Sequence, residues 1–219
     1  MRFTDDYLQT RYVNIKSDKV FNDFKMMVIG DIHMSSMVSL SKIKTIKEKI
    51  VKEKPDYIFY VGDLIDRIEE LDNDSSLKLR DLLEFSTLYS KTFVILGNHD
   101  FIYRVSKNTS YKIVSFINSI KNVHLLNNDV YFDDKIYLMG YTQTQKYYCT
   151  KNYDYDDFYN DFIKNEKLYK NVNKSLFTIA LIHSPEFTYN DKCLSLFDDY
   201  NLIISGHMHD GCVPFGIGK

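Results

Sequence analysis

Length, composition and charge place the chain among ordinary globular proteins and exclude several classes. It has 219 residues, of which 44% are hydrophobic and 26% charged, with a net charge of −2; this is typical of one soluble domain, here residues 1–219. Without clustered Lys and Arg, nucleic acid is not expected as a partner, although a phosphate substrate is not excluded, and no apolar run approaches the ~18 residues of a membrane span.

Apolar runs in the first half of the chain predict parallel strands. The clearest run, Tyr57–Val61, has no polar interruption and ends at Gly62, as expected of a strand buried on both faces. Two similar runs predict further strands, and a weaker pattern near the N-terminus predicts an edge strand. These segments are residues 26–29, residues 93–96 and, at the edge, residues 7–20.

Between these strands, apolar residues recur at the spacing of amphipathic helices. The first helix is predicted over residues 39–54, with Ser39 or Ser41 as its N-cap. A second surrounds Leu79–Leu83, and a third begins at residue 109 or 110 and carries Ile113 and Phe116. The alternation of strands and helices predicts a parallel sheet with right-handed crossovers.

From Val123 onward the pattern shifts towards strands. Two predicted strands, Val123–Phe132 and Ile136–Met139, flank Asp133-Asp134-Lys135, which is typical of a hairpin turn. A Tyr- and Asp-rich segment, residues 147–170, is predicted to contain a helix and is a candidate wall for a substrate pocket. The last two predicted strands are Leu176–Ile182 and Leu202–Ile204.

Three cysteines, an odd number with no CxxC pair, predict no disulfide framework. Residues 1–23 carry no apolar segment of the kind found in signal peptides. We therefore expect a cytoplasmic protein.

Five of the predicted strands are apolar runs that are followed by Asp, Asn or His. Five of the six histidines follow such a strand: His33, His99, His183, His207 and His209. Ligands of open α/β sheets bind at the carboxyl ends of the strands, so a shared polar site is the economical explanation. Asp, Asn and His without Cys favour Mn, Fe or Zn. There are more ligands than one tetrahedral ion needs, so the sequence favours two divalent ions sharing a carboxylate.

The ordered set of motifs at these strand ends resembles that of the calcineurin-like metallophosphoesterase superfamily and, more loosely, its small bacterial members. The motifs are Asp31-x-His33, Gly62-Asp63-x-x-Asp66, Gly97-Asn98-His99-Asp100, His183 and Gly206-His207-x-His209. Each motif recurs by chance, but all five in order, each after a predicted strand, do not. The resemblance covers about Met26 to Gly211 and implies an α/β fold, a four-layer αββα sandwich with mixed sheets.

The resemblance also implies a role for each matching residue. One metal ion would be held by Asp31, His33 and His209, the other by Asn98, His183 and His207, with Asp63 bridging them. His99 matches the family's catalytic histidine, which donates a proton to the leaving oxygen or stabilises charge there. Asp66 is expected to orient His99. Arg67 is equally consistent with a substrate contact and with a solvated surface residue.

The implied activity is that of a dinuclear metal-dependent hydrolase of phosphoester bonds, in which hydroxide bridging the two ions is the nucleophile. Two dications, Asp31, Asp63 and one hydroxide leave a net charge of about +1, which would attract the phosphate of a small-molecule ester. The sequence leaves open whether a phosphodiester or a phosphomonoester is cleaved. It also leaves open the native metal and the oligomeric state.

The sequence departs from the family pattern in two places: the first is expected to alter the pocket lining without loss of metal, and the second supports a rival interpretation. Met208 and Asp210 stand where relatives often carry a small polar residue and Gly. Only eight residues follow Gly211, whereas relatives usually continue with further strands, so the domain is expected to lack its last C-terminal strands. The alternative function is a catalytically silent scaffold with the same fold. Such a scaffold is expected to lose ligands or the catalytic histidine, and this sequence retains all of them.

Overall fold

The first sheet contains four parallel strands in the order in which they occur along the chain. The structure is a computed structural model that describes residues 8–101, 110–148, 153–165, 168 and 170–208. The strands are β1 (Met26–Ile29), β2 (Tyr57–Val61), β3 (Lys91–Ile95) and β4 (Val123–Leu125). The predicted parallel strands are confirmed, except that no strand forms among residues 8–25, where the edge strand was predicted.

Three helices connect these strands, as the periodicity predicted. They are α1 (Leu40–Glu53), α2 (Asp74–Thr87) and α3 (Ser110–Asn118). Ser39 caps α1, because its side chain accepts a hydrogen bond from Lys42 N and so satisfies one of the first-turn amides. The helix ends at Lys54, which takes the left-handed conformation. Within the described part of the chain, no helix is long and apolar enough to cross a membrane.

The second sheet is mixed. Its strands, in spatial order, are β5 (Asp129–Phe132), β6 (Ile136–Tyr141), β7 (Phe177–Ile182) and β8 (Leu202–Ile204). Strands β5 and β6 are antiparallel and the other pairs are parallel. The predicted hairpin turn is confirmed: one carboxylate oxygen of Asp133 accepts hydrogen bonds from Lys135 N and Ile136 N.

The predicted single strand Val123–Phe132 was wrong, because it comprises β4 and β5, which lie in different sheets. Leu126 N still donates to Val94 O in the first sheet. The chain then turns at Asn128, whose φ is +54°, and the Asn128 side chain accepts from Thr142 N beside the second sheet. Local alternation of apolar residues does not distinguish one long strand from two strands separated by a tight turn.

Side chains alternate between the two faces of each sheet and so define four layers. Phe59 and Phe93 of the first sheet meet Leu138 and Leu181 of the second in a buried layer between the sheets. The opposite face of the first sheet packs against α1, α2 and α3. The outer face of the second sheet packs against α4 (Tyr155–Ile163) and the short helix α5 (Asp191–Leu194). This confirms the predicted four-layer αββα sandwich, in which the first sheet is parallel and the second is mixed.

Candidate metal centre

The carboxyl ends of strands from both sheets meet at one edge of the sandwich. Asp31 and His33 follow β1, Asp63 follows β2, Asn98 and His99 follow β3, His183 follows β7, and His207 follows β8. His209, which the resemblance also assigned to a metal ion, lies outside the described residues. The remaining predicted ligands therefore project from five different loops.

Hydrogen bonds between loops hold these residues in place. Pairing of the first two strands continues past their ends, since His33 N donates to Asp63 O at 3.0 Å. Two further bonds join the sheets: His183 Nδ1 donates to Val61 O at 2.7 Å, and His207 N donates to Asp31 Oδ1 at 3.1 Å. Because a carbonyl oxygen only accepts, His183 carries a proton on Nδ1, and the lone pair of the neutral ring lies on Nε2.

Asp63 lies at the centre of the arrangement. Its side chain is 1% exposed, and its Oδ2 is 3.2 Å from His183 Nε2 and 3.7 Å from His33 Nε2. Its other oxygen, Oδ1, accepts from His99 N at 2.8 Å. One carboxylate thus faces imidazoles that come from both sheets.

Asp63 belongs to two groups of side chains that have the spacing of metal ligands. One group is His33, Asp63 and His99, and the other is Asp63, His183 and His207; within each, the potential ligand atoms all lie within 4.8 Å of one another. The structure therefore places Asp63 beside His33, which the resemblance assigned to one ion, and beside His183 and His207, which it assigned to the other. His99, for which the resemblance implied a catalytic role, is itself a member of the first group.

Several buried atoms at this centre have no hydrogen-bond partner among the described residues, and those on predicted ligands include Asp63 Oδ2, Asn98 Oδ1 and His183 Nε2. Leaving a buried polar atom unpaired destabilises a protein by about 1–3 kcal/mol, so each of them calls for an explanation. Carboxylate, amide-oxygen and imidazole atoms are ligands for divalent cations such as Mn and Zn. The residues present therefore fit a metal centre.

Backbone strain is concentrated at the same place. Seven described residues other than glycine have positive φ, and four of them are candidate ligands: Asp31, His33, Asp63 and His207, with φ between +47° and +68°. A non-glycine residue in this region costs about 1–3 kcal/mol and persists only where its surroundings hold it. Such strain is typical of functional sites and here points the four side chains towards one centre.

Asp66 holds His99 through its main chain. His99 Nδ1 donates to Asp66 O at 2.8 Å, whereas the nearer carboxylate oxygen of Asp66 is 3.8 Å from Nδ1. That carboxylate also lies 3.5 Å from Arg67 Nε. With Nδ1 bound to the carbonyl, His99 Nε2 is the nitrogen left to face a substrate.

Asp100 ties the loops after β2 and β3 together, a role that the sequence analysis did not assign. It is fully buried and accepts hydrogen bonds from the backbone amides of Leu64, Ile65 and Gly97 at 2.8–3.3 Å. Burial, assisted by the neighbouring Asp63 carboxylate, raises the pKa of Asp100 to about 7. The sequence did offer a signal for this role, because Asp100 ends the motif Gly97-Asn98-His99-Asp100, in which Asn98 and His99 were the candidate site residues.

Two further residues at the centre were not identified from the sequence. The Tyr148 ring lies 5.8 Å from the His183 ring and 5.4 Å from the His207 ring, in the segment that was proposed to wall the pocket. Glu186 Oε1 lies 3.5 Å from His207 Nε2. Glu186 had no signal, because a carboxylate just after His183-Ser184-Pro185 resembles any loop residue.

Metal binding is expected to weaken as the pH falls through neutrality. Burial opposes the charged form of His183, but the adjacent Asp63 carboxylate outweighs it and raises the pKa of this histidine above its usual value. A metal ion at Nε2 competes with the proton that this nitrogen carries in the charged ring, so apparent Mn²⁺ affinity should fall by up to about tenfold per pH unit as the pH drops below this raised pKa. Calorimetry in two buffers of different ionisation enthalpy would measure the released proton.

The matched control for this titration is His124→Ala, at an exposed position in β4, which should leave the pH dependence unchanged. Affinity that stays constant as the pH falls through neutrality would contradict a ligand role for His183.

Comparison with known proteins identifies similar sequences. A family model of calcineurin-like phosphoesterases matches residues 24–211. An uncharacterized metallophosphoesterase of Helicobacter pylori is 27% identical over 203 residues, which cover 91% of this chain and 48% of that protein. The uncharacterized metallophosphoesterase YkuE of Bacillus subtilis is 26% identical over 220 residues, covering 95% of this chain and 68% of YkuE. The chain thus spans about half the length of the Helicobacter relative.

Among solved structures, the Pseudomonas putida nuclease MPE aligns with 54% of this chain and 55% of its own, with a TM-score of 0.32 and 14% sequence identity. Similarity at that level carries no argument about the substrate.

Proposed function

The chain belongs to the calcineurin-like phosphoesterase family, and we propose on this basis that it hydrolyses phosphoester bonds using two divalent cations held at the shared edge of its sheets. The observation that carries the proposal is Asp63, a buried carboxylate common to two groups of metal-ligand side chains. A single ion would require only one of these groups.

The proposal assigns Asp31, His33 and His209 to one cation and Asn98, His183 and His207 to the other, with Asp63 shared between them. The unpaired buried oxygens of Asp63 and Asn98 and the unpaired Nε2 of His183 support it. When bound, two such cations supply Lewis-acid stabilisation of phosphoryl oxygens and activate water at neutral pH. Mn, Fe and Zn all suit this set of nitrogen and oxygen ligands.

His99 is the proposed proton donor to the leaving oxygen. Its ring is fixed by the bond from Nδ1 to Asp66 O and by its contact with His33, whose ring centroid is 4.5 Å away. Its side chain is 31% exposed, so a bound ester can approach the ring. A proton on Nε2 would neutralise the leaving oxygen as the bond to phosphorus breaks.

The first test is turnover of chromogenic aryl phosphate diesters and monoesters with Mn²⁺ added. His99→Asn is expected to lower kcat about 100- to 10,000-fold, because general acid catalysis contributes about that much, while metal content stays at the wild-type level. The matched control is His124→Asn, an exposed histidine in β4, which should retain both properties.

The result also distinguishes the two roles that His99 can have, metal ligand or proton donor. If His99→Asn loses a metal ion together with activity, His99 is a ligand of the group that contains His33 and Asp63, and its role as proton donor is overturned. Turnover by wild-type protein that survives complete chelation would contradict the metal-dependent proposal itself.

The proposed substrates are small phosphate esters, since the net charge of −2 does not favour a polyanion. Cyclic nucleotides, nucleotide-sugar pyrophosphates and single-stranded DNA belong in the same panel. Selective cleavage of DNA would contradict this preference. A protein that binds two cations and turns over nothing in the panel would support the silent scaffold instead.

A further inference from the structure

Glu186 is a buried carboxylate that lies beside the proposed centre without belonging to its ligand set. Its side chain is 9% exposed, and neither of its carboxylate oxygens has a hydrogen-bond partner among the described residues. In the described part of the chain it faces His207, whose Nε2 lies 3.5 Å from Oε1. Burying a carboxylate without donors is costly, so this placement calls for a role.

The backbone around Glu186 is firmly held. A single turn of 3-10 helix, Glu186–Tyr189, begins two residues after Ser184. The next residue, Phe187, is fully buried, and its ring lies 5.4 Å from that of Phe158 and 4.6 Å from that of Phe197. The carboxylate therefore occupies a site fixed by aromatic packing.

His207 is held from two sides. Its φ is +68°, and its backbone amide donates to Asp31 Oδ1 at 3.1 Å. Glu186 faces its ring at Nε2, so Nδ1 is the nitrogen that remains for a cation shared with Asp63 and His183. Glu186 is not part of the group in which the ligand atoms of those three residues lie within 4.8 Å of one another.

We propose that Glu186 is a positioning residue that accepts a hydrogen bond from Nε2–H of His207 and so directs Nδ1 towards the cation. A carboxylate behind a ligating imidazole fixes its tautomer and orientation and raises its basicity. The present separation of 3.5 Å is expected to shorten when the cation is bound, because coordination at Nδ1 makes Nε2–H a stronger donor. This inference rests on the proposed function for the presence of the cation.

The test compares Glu186→Gln and Glu186→Ala by Mn²⁺ titration of the full chain. Alanine is expected to weaken binding at the affected site about 10- to 100-fold. Glutamine should weaken it by a smaller factor, because its amide oxygen accepts a hydrogen bond without carrying charge. Glu48→Gln, on the exposed face of α1, is the matched control and should bind like wild type.

Two additional readouts distinguish positioning from a general structural role. Glu186→Gln should not lower the melting temperature of the metal-free protein, since it removes a buried charge that lacks donors. In the Co²⁺-loaded protein, the paramagnetically shifted, exchangeable signal of His207 Nε2–H should be visible in wild type and should exchange faster in Glu186→Ala. If the alanine variant fails to fold, the glutamine variant still gives the affinity and melting comparisons.

The outcomes separate this inference from the proposed function. Wild-type protein that binds no divalent cation overturns both. Wild-type protein that binds two, with unchanged affinity and an unchanged His207 signal in the Glu186 variants, overturns the positioning role alone. A lower melting temperature of metal-free Glu186→Gln that accounts for the entire loss of binding would also overturn it.

Discussion

Asp63→Asn is expected to lower kcat/KM for an aryl phosphate diester by at least about 1,000-fold, a loss of about 4 kcal/mol of transition-state stabilisation. Asp63 is common to both groups of candidate ligands, so the substitution weakens both at once. The asparagine amide carries no charge and offers only one oxygen. Asp63 Oδ2 lies 3.2 Å from His183 Nε2 and 3.7 Å from His33 Nε2, so the proposed shared ligand atom would lose its negative charge. Elemental analysis would measure the loss of bound metal, and steady-state kinetics with Mn²⁺ would measure the loss of kcat/KM.

A carboxylate at the opposite end of the same strand provides the control. Asp56 precedes β2 and accepts a hydrogen bond from Lys25 N at 2.8 Å, a bond that asparagine also makes. Asp56→Asn should retain metal and turnover. Added Mn²⁺ should raise the melting temperature of wild type and of Asp56→Asn, but not of Asp63→Asn, because only a cation that binds the folded state stabilises it. Two bound ions in Asp63→Asn would contradict the bridging role.

Gly97→Ala is expected to disrupt the centre without removing any ligand. A Cβ at position 97 would lie 2.5 Å from Asp63 N and 2.7 Å from His183 Nε2, and it would also overlap the Asp63 carboxylate. The neighbours are a backbone atom and two buried candidate ligands, so relief requires moving the loops themselves. We expect a destabilisation of about 1–3 kcal/mol and at least about 100-fold lower kcat/KM, since small displacements of reacting groups are costly.

Gly30→Ala is the matched control for this effect. Gly30 follows β1 as Gly97 follows β3, but the nearest atom to its added Cβ is Val61 Cγ2 at 3.2 Å, a side-chain methyl that can shift. Denaturant unfolding and Mn²⁺ titration should show losses of stability and affinity in Gly97→Ala that are absent from Gly30→Ala. Equal losses in both variants would instead indicate that alanine is not tolerated after either strand. Wild-type affinity in Gly97→Ala would contradict the close packing described here.

Much of the architecture was predictable because local periodicity reflects burial. The run Tyr57–Val61 was expected to be buried on both faces, and β2 has those bounds with all five residues buried. Helix α1 differs from its predicted range by one residue at each end. The division of Val123–Phe132 between two sheets was missed, because a sheet is chosen by long-range hydrogen bonds such as Leu126 N to Val94 O.

The sequence by itself determined which kinds of side chain follow each strand, and hence the family and the residues to examine. The tertiary structure alone decided which atoms meet: the carbonyl of Asp66 rather than its carboxylate at His99, and Glu186 and Tyr148 beside His207. The reason is distance along the chain. Asp31 and His207 are 176 residues apart and meet only because two sheets pack face to face, and no local pattern encodes such a contact.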